Sequence, residues 1–172
     1  MMRQPCFVLP ALFLASCIGI SAGAGNHEYR SATVDERTGQ LHIVSASGRR
    51  VVAPKDRDQI AFGQAIISPD RGTIGWFELY PDPTAFEYKA SLLAERLVLF
   101  RNNQILHRFE SDQVFWDWTF VDGGTKVAYS TGPTHGGASE CVLRDVESGT
   151  VLTQWDVGSG SATPEWARSL RF

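Results

Sequence analysis

Three observations predict an all-β chain built as an antiparallel meander. The first is the stretch Val114-Phe115-Trp116-Asp117-Trp118-Thr119-Phe120, followed by Val121-Asp122-Gly123-Gly124 and then Thr125 to Ser130. Aromatic and polar residues alternate before an Asp-Gly-Gly turn, and Val127 and Tyr129 alternate after it, which reads as a hairpin. The second is punctuation: Ser47-Gly48, Asn102-Asn103 and Ser148-Gly149 each sit between two short apolar runs. The third is internal repetition. Asp70 and Gly72 align with Asp122 and Gly124 at an offset of 52 residues, and Trp76-Phe77 falls on Ala128-Tyr129.

Taken in order, Gly25 to Arg30 is polar and reads as a mobile lead-in. Ala32 to Asp35 is a short strand candidate, and Leu41–Val44 with Arg50–Val52 forms the first hairpin. Pro54 to Asp58 is a charged linker, and Gln59 to Ile67 is one strand. Ser68-Pro69-Asp70-Arg71-Gly72 is a turn in which Pro presets the backbone angle. Thr73 to Tyr80 returns as a strand, and Pro81-Asp82-Pro83 should end it because proline removes ladder donors. Glu87 to Ala94 reads equally as a helical turn or a loop. Leu97–Phe100 and Ile105–Phe109 make the next hairpin. Thr131 to Ala138 is a loop, and Cys141–Asp145 with Val151–Trp155 is the last hairpin. Residues 158–172 read as a flexible tail, with one helical turn at Pro164 to Arg168.

Residues 1–24 have the form of a secretory signal: Arg3, an apolar run from Cys6 to Ile20, and Ala22-Gly23-Ala24 as a small-residue cleavage site. That run is shorter than the ~20 residues a membrane span needs. Leu14-Ala15-Ser16-Cys17 also fits a lipobox, in which case residues 1–16 are a lipoprotein signal and Cys17 is the acylated residue. The expected location is exported, periplasmic or extracellular, with contact to a membrane only through that lipid anchor. Residues 25–157 are then the β-repeat domain. Beyond the leader Cys141 is left without an intramolecular partner and reads as a buried strand residue. Charged residues make up 20% of the chain and the net charge is −3, which argues against disorder and against a basic nucleic-acid surface.

Each whole unit carries four short strands, and the chain holds half a unit followed by two whole ones. Ser68-Pro69-Asp70-x-Gly72 before a strand, and Leu143-Arg144-Asp145-Val146-Glu147-Ser148-Gly149, resemble the repeats of WD-type and bacterial envelope β-propeller proteins. Trp116 to Phe120 and His135-Gly136-Gly137 likewise resemble secreted bacterial proteins of that blade type. The resemblance spans residues 41–155 and implies four-stranded blades. Propellers have at least four blades, so about two and a half imply an incomplete ring or an open twisted sheet, whose edges invite pairing.

Thr134-His135-Gly136-Gly137 is the most suggestive loop. Such a run can supply oxyanion-hole N–H groups, but that chemistry needs a nucleophile elbow, and no Gly-x-Ser-x-Gly occurs outside the leader, which holds Gly19-Ile20-Ser21-Ala22-Gly23. Asp117 between two tryptophans is the oddest acid; a structural hydrogen-bonding role is the simpler reading. His135 and Cys141 fit no zinc spacing, and Asp56 and Asp58 lack the glycine and terminal glutamate of a calcium loop. No metal or cofactor is expected. Trp76, Trp116, Trp118 and Trp155 could stack on a ligand, but Trp116, Trp118 and Phe120 alternate as core residues do. The leading expectation is a non-enzymatic protein-interaction module, partnered by another protein or by a second copy completing a sheet edge. The competing classes are a hydrolase using His135 with Asp117 or Cys141, and a carbohydrate-binding module.

Overall fold

In the computed structural model, which describes residues 28–84 and 91–171, twelve strands form three antiparallel sheets in chain order. The first sheet contains β1 (Tyr29–Val34), β2 (Leu41–Ser45) and β3 (Arg50–Val52). The second contains β4 (Ala61–Phe62), β5 (Ile66–Ile67), β6 (Ile74–Pro81), β7 (Leu92–Arg101) and β8 (Gln104–Glu110). Here β4 and β5 lie along the same edge of β6, and the order continues β6-β7-β8. The third contains β9 (Val114–Val121), β10 (Lys126–Gly132), β11 (Glu140–Asp145) and β12 (Val151–Asp156), also in sequence order. The expected all-β, open antiparallel meander is what the chain forms; no sheet closes on itself.

The sheets stack face to face. Tyr29, Leu41 and Ile43 of the first sheet pack against Trp76, Val98 and Phe100 of the second. Phe77, Leu97 and Leu99, on the opposite face of the second sheet, pack against Phe115, Trp118 and Tyr129 of the third. The far face of the third sheet buries Ala128, Cys141 and Leu143 under Ala167 and Leu170 of the tail, beside a 3-10 turn at Glu165–Ala167. The second sheet is thus covered on both faces, which explains why the Ile74–Tyr80 run is almost continuously buried and not simply alternating. Gly75 is the close-approach point of that layer. A Cβ there would lie 2.4 Å from the Trp118 ring, so only glycine leaves room for the indole between the sheets.

Several local expectations are corrected. Tyr29 and Arg30, placed in the lead-in, begin β1, and Tyr29 is fully buried. The short strand expected at Ala32 to Asp35 thus begins three residues earlier and joins the Leu41–Val52 hairpin as the third strand of the first sheet. Gln59 to Ile67 is not one strand: it breaks at Gly63, whose N–H bonds the Phe77 carbonyl, and the interruption frees the Gln64 carbonyl to accept from Trp118 Nε1 at 3.3 Å. Pro81 does not stop β6. It pairs with Leu92 beyond the last β4 pairing at Leu79, where the missing N–H interrupts no ladder. Leu92 to Ala94 extend β7 as strand, while residues 85–90 lie outside the described residues, as does all of the leader including Cys17.

The tryptophan expectation fails at one position for a clear reason. Ser130 opposes Asp117 but Thr131 opposes Phe115, so β9 carries one extra residue, Trp116. This β-bulge turns Phe115, Trp118 and Phe120 to the core and leaves Trp116 39% exposed. The 52-residue offset fares similarly. β6 and β10 do begin that far apart, at Ile74 and Lys126. Yet Trp76 faces the preceding sheet whereas Ala128 faces away from it, a one-residue difference in direction.

Candidate binding end of the sheets

Antiparallel stacking puts every second connection at the same end of the second and third sheets. At one end lie the turns 68–73, 102–103, 122–125 and 146–150. They are short and internally bonded. Ser68 Oγ accepts from Thr73 N at 2.9 Å and donates to Thr73 O at 3.0 Å, and it also bonds the Asp70 carboxylate. Asn102 and Asn103 both adopt positive φ, as a two-residue hairpin turn requires. Asp145 accepts from Ser148 N and its hydroxyl, both at 2.8 Å, and these bonds hold its carboxyl below the usual carboxylate range.

At the opposite end lie the Pro81–Ser91 connection, residues 111–113 and the loop 133–139, and there the chain opens into clefts. The first, of about 540 Å³, is lined by Pro83, Leu93, Glu95, Arg96, Glu110, Asp112, Pro133 and Thr134 among others. Of the two connections that the sequence marked as candidate contact loops, Pro83 lines this cleft, while the His135–Gly137 loop reaches it only through the preceding Pro133 and Thr134. Asp82 ties down its own turn by accepting from Thr84 Oγ1 at 2.7 Å, Thr84 N at 2.8 Å and Ser91 Oγ at 2.9 Å. Those bonds, with a smaller contribution from the nearby His135, hold its carboxyl below its usual range. His135 and Gly136 are exposed and Gly137 is half-buried. Gly132 makes this loop tight, since a Cβ on it would lie 2.2 Å from the Gly137 carbonyl oxygen.

Two bulges aim side chains at this end. Glu78 opposes Arg96 but Leu79 opposes Ala94, so Glu95 is the extra residue of β7, as Trp116 is of β9. Bulges near a strand end re-aim side chains, and both of these stand at the margin of the clefts.

Beneath the cleft sits a charge network that sequence reasoning missed. Glu78 is fully buried; it receives Arg108 Nε at 3.1 Å and the Tyr80 hydroxyl at 3.1 Å, with Arg96 Nη1 3.6 Å away. Arg96 also bonds Asp56, the Tyr80 hydroxyl at 2.6 Å and Glu110 at 2.9 Å. Burial, with the Glu78 carboxylate beside it, pushes the Tyr80 phenol above its usual range. A Glu inside the apolar run Trp76-Phe77-Glu78-Leu79-Tyr80 was a legible sign of a buried charge; its arginine partners were not.

The predicted site residues separate. Asp117 is buried and faces the tail: its carboxylate accepts from Trp118 N at 2.9 Å and from Arg171 N at 3.0 Å, while the neighbouring Ser130 Oγ donates to Arg171 O at 3.0 Å. It clasps the tail and not a turn. Cys141 is fully buried in the layer under the tail, and burial, aided by the Glu140 carboxylate, pushes its thiol up to about 11. Among the described residues no hydrogen bond or ion pair joins His135 to Asp117 or Cys141. Trp76 and Trp118 are in different cores, Trp155 bonds Ser161 Oγ at 2.9 Å, and Trp116 alone faces the cleft end. Among the described residues no group of three His, Cys, Asp or Glu side chains is placed to hold a metal ion.

No protein-family model matches this chain, and no curated protein matches it.

Proposed function

We propose that this chain is an exported, non-enzymatic interaction module that binds a protein partner through the loop end of its second and third sheets. One observation carries the reading: Pro83, the Pro133-Thr134 approach to the His135 loop and the bulge residues Glu95 and Trp116 line two adjoining clefts at one end of the sheets. Exposed tryptophan next to proline-rich, well-tied loops is the composition of protein-contact surfaces. The wider reading keeps the propeller-like stacking of sheets, with a three-stranded first sheet and two fuller ones after it, and export by a cleaved leader or by acylation at Cys17.

The test is native mass spectrometry of the tagged full chain, purified gently from its own envelope fraction. A partner mass, or a multiple of the chain, is expected. It should vanish with Trp116→Ala and persist with Leu152→Ala, an exposed residue of β12 away from the clefts. A partner retained by Trp116→Ala and lost with Leu152→Ala would reject the loop end. A turnover abolished by His135→Ala at unchanged stability would favour the hydrolase. The lipid on Cys17 would be read from the same mass.

A further inference from the structure

We propose that the loop-end cleft takes an extended cationic peptide: an apolar side chain seats beside Trp116, flanked by Lys or Arg along a carboxylate rim. This rests on the interaction-module reading and adds the chemistry of the partner. Between the second and third sheets lies a groove of about 330 Å³ whose walls include Leu79, Leu93, Phe115 and Trp116. Leu93, Val114 and Thr134 line both this groove and the 540 Å³ cleft, so the two spaces adjoin across those side chains. Apolar floor passes into polar wall within the length of a short peptide, at about 3.3 Å per extended residue.

Charge selects the occupant. Among the described residues, the polar half presents Glu95, Glu110 and Asp112 against one cation, Arg96. That arginine is already held by Asp56 and Glu110, so it neutralises no further acid. Among the described residues, Glu95 and Asp112 make no hydrogen bond or ion pair, and the rim continues past Asp112 to Glu140 and Asp156. Uncompensated carboxylates along a low-dielectric cleft draw cations and repel acidic chains. A bare polyamine would satisfy the rim and leave the apolar groove empty. A neutral apolar peptide would fill the groove and leave the rim unanswered. A peptide pairing a large apolar residue with Lys or Arg answers both halves.

The probes are two labelled nonapeptides, one alternating Lys with Phe and Leu, the other with Glu replacing each Lys, titrated against the full chain by fluorescence anisotropy. The Lys peptide should bind and the Glu peptide should not. Trp116→Ala should weaken the Lys peptide about tenfold or more. Glu95→Gln with Asp112→Asn should weaken it several-fold and flatten its salt dependence. Circular dichroism of each variant separates loss of binding from loss of fold. Equal binding of both peptides, or binding indifferent to Trp116, overturns the proposal. So does binding that emerges only with Phe86→Ser and Tyr88→Ser, which would make the chain's own residues 85–90 the occupant, or a dimer abolished by Trp116→Ala, which would make it a second copy. If neither peptide binds while partner capture still depends on Trp116, the peptide chemistry falls and the module reading stands. If capture is also indifferent to Trp116, both fall.

Discussion

The two ends of the sheets differ in what lies beneath their turns. At the turn end each turn is closed by its own residues, Ser68 bonding Thr73, Asp70 bonding Gly72 and Asp145 bonding Ser148, and the turns are tied across the layers by Arg71 to Tyr29, Asn103 to Tyr29 and Arg101 to Glu147. At the loop end Asp82 closes its own turn in the same way, and below the loops lies a charge network in which Asp56 bonds Arg96 and Glu78 bonds Arg108, with Asp117 bonding Arg171 of the tail. Local turn chemistry fixes hairpin register and needs little support. What distinguishes the loop end is the fully buried carboxylate of Glu78 below it, to which Arg108 and Tyr80 donate. Binding surfaces are commonly built as variable loops on a fixed scaffold.

The hardest blow to this contrast should come from Glu78→Ala. It strips a fully buried carboxylate from two arginines that are themselves about a third exposed, so the cost should fall at or below the low end of the about 3–5 kcal/mol of a fully buried pair. Urea unfolding should show that loss, with amide exchange rising first around β6, β7 and the linker at Asp56. Equal protection at both ends would remove the distinction. Ser68→Ala should cost less, about 1–3 kcal/mol, by leaving the Thr73 backbone groups without their side-chain partner. Its exchange effects should stay within the 68–73 turn.

Acid should act on both ends together. Asp35, Asp56, Asp82 and Asp145 all titrate below their usual range: backbone N–H groups of Thr38, Arg57 and Ser148 are the largest cause for the first, second and fourth, and the Thr84 hydroxyl is for the third. An Asp of depressed native value contributes stability above the unfolded value of about 3.9, and loses it as pH falls through the native one. Urea midpoints should therefore be flat from pH 7 to about 5 and drop below about 4. Asp82→Asn and Asp145→Asn should each remove part of that slope; a slope untouched by either would mean that other acids carry it. The smallest effect belongs to Trp116→Ala. Loss of this partly exposed bulge residue should cost on the order of 1 kcal/mol, from the part of the indole that packs on the groove, while abolishing partner capture.

Legibility in the sequence follows the same division. Asn102-Asn103, Asp122-Gly123-Gly124 and Ser148-Gly149 were readable because a turn needs only its own residues to adopt the required backbone angles. His135, Gly136 and Gly137 were readable as an exposed loop, but their proximity to Pro83 and Asp82 was not, since it depends on the stacking of two sheets. Trp116 was read as core because strict alternation was assumed. The bulge that expels it is decided by Phe115 and Trp118 both finding partners on the second sheet.

What the sequence determined by itself was the class of fold, an open antiparallel all-β meander, and the place of the tight turns at Gly48, Asn102-Asn103, Gly123-Gly124 and Gly149, products of local propensity and period-two patterning. Tertiary structure alone decided which faces meet, where β7 and β9 admit an extra residue, that Glu78 is buried between two arginines, and that Asp117 holds the tail. Those outcomes rest on contacts between residues 30 to 54 positions apart in the chain. A pattern confined to one strand fixes the direction of its own side chains, and not what arrives opposite them.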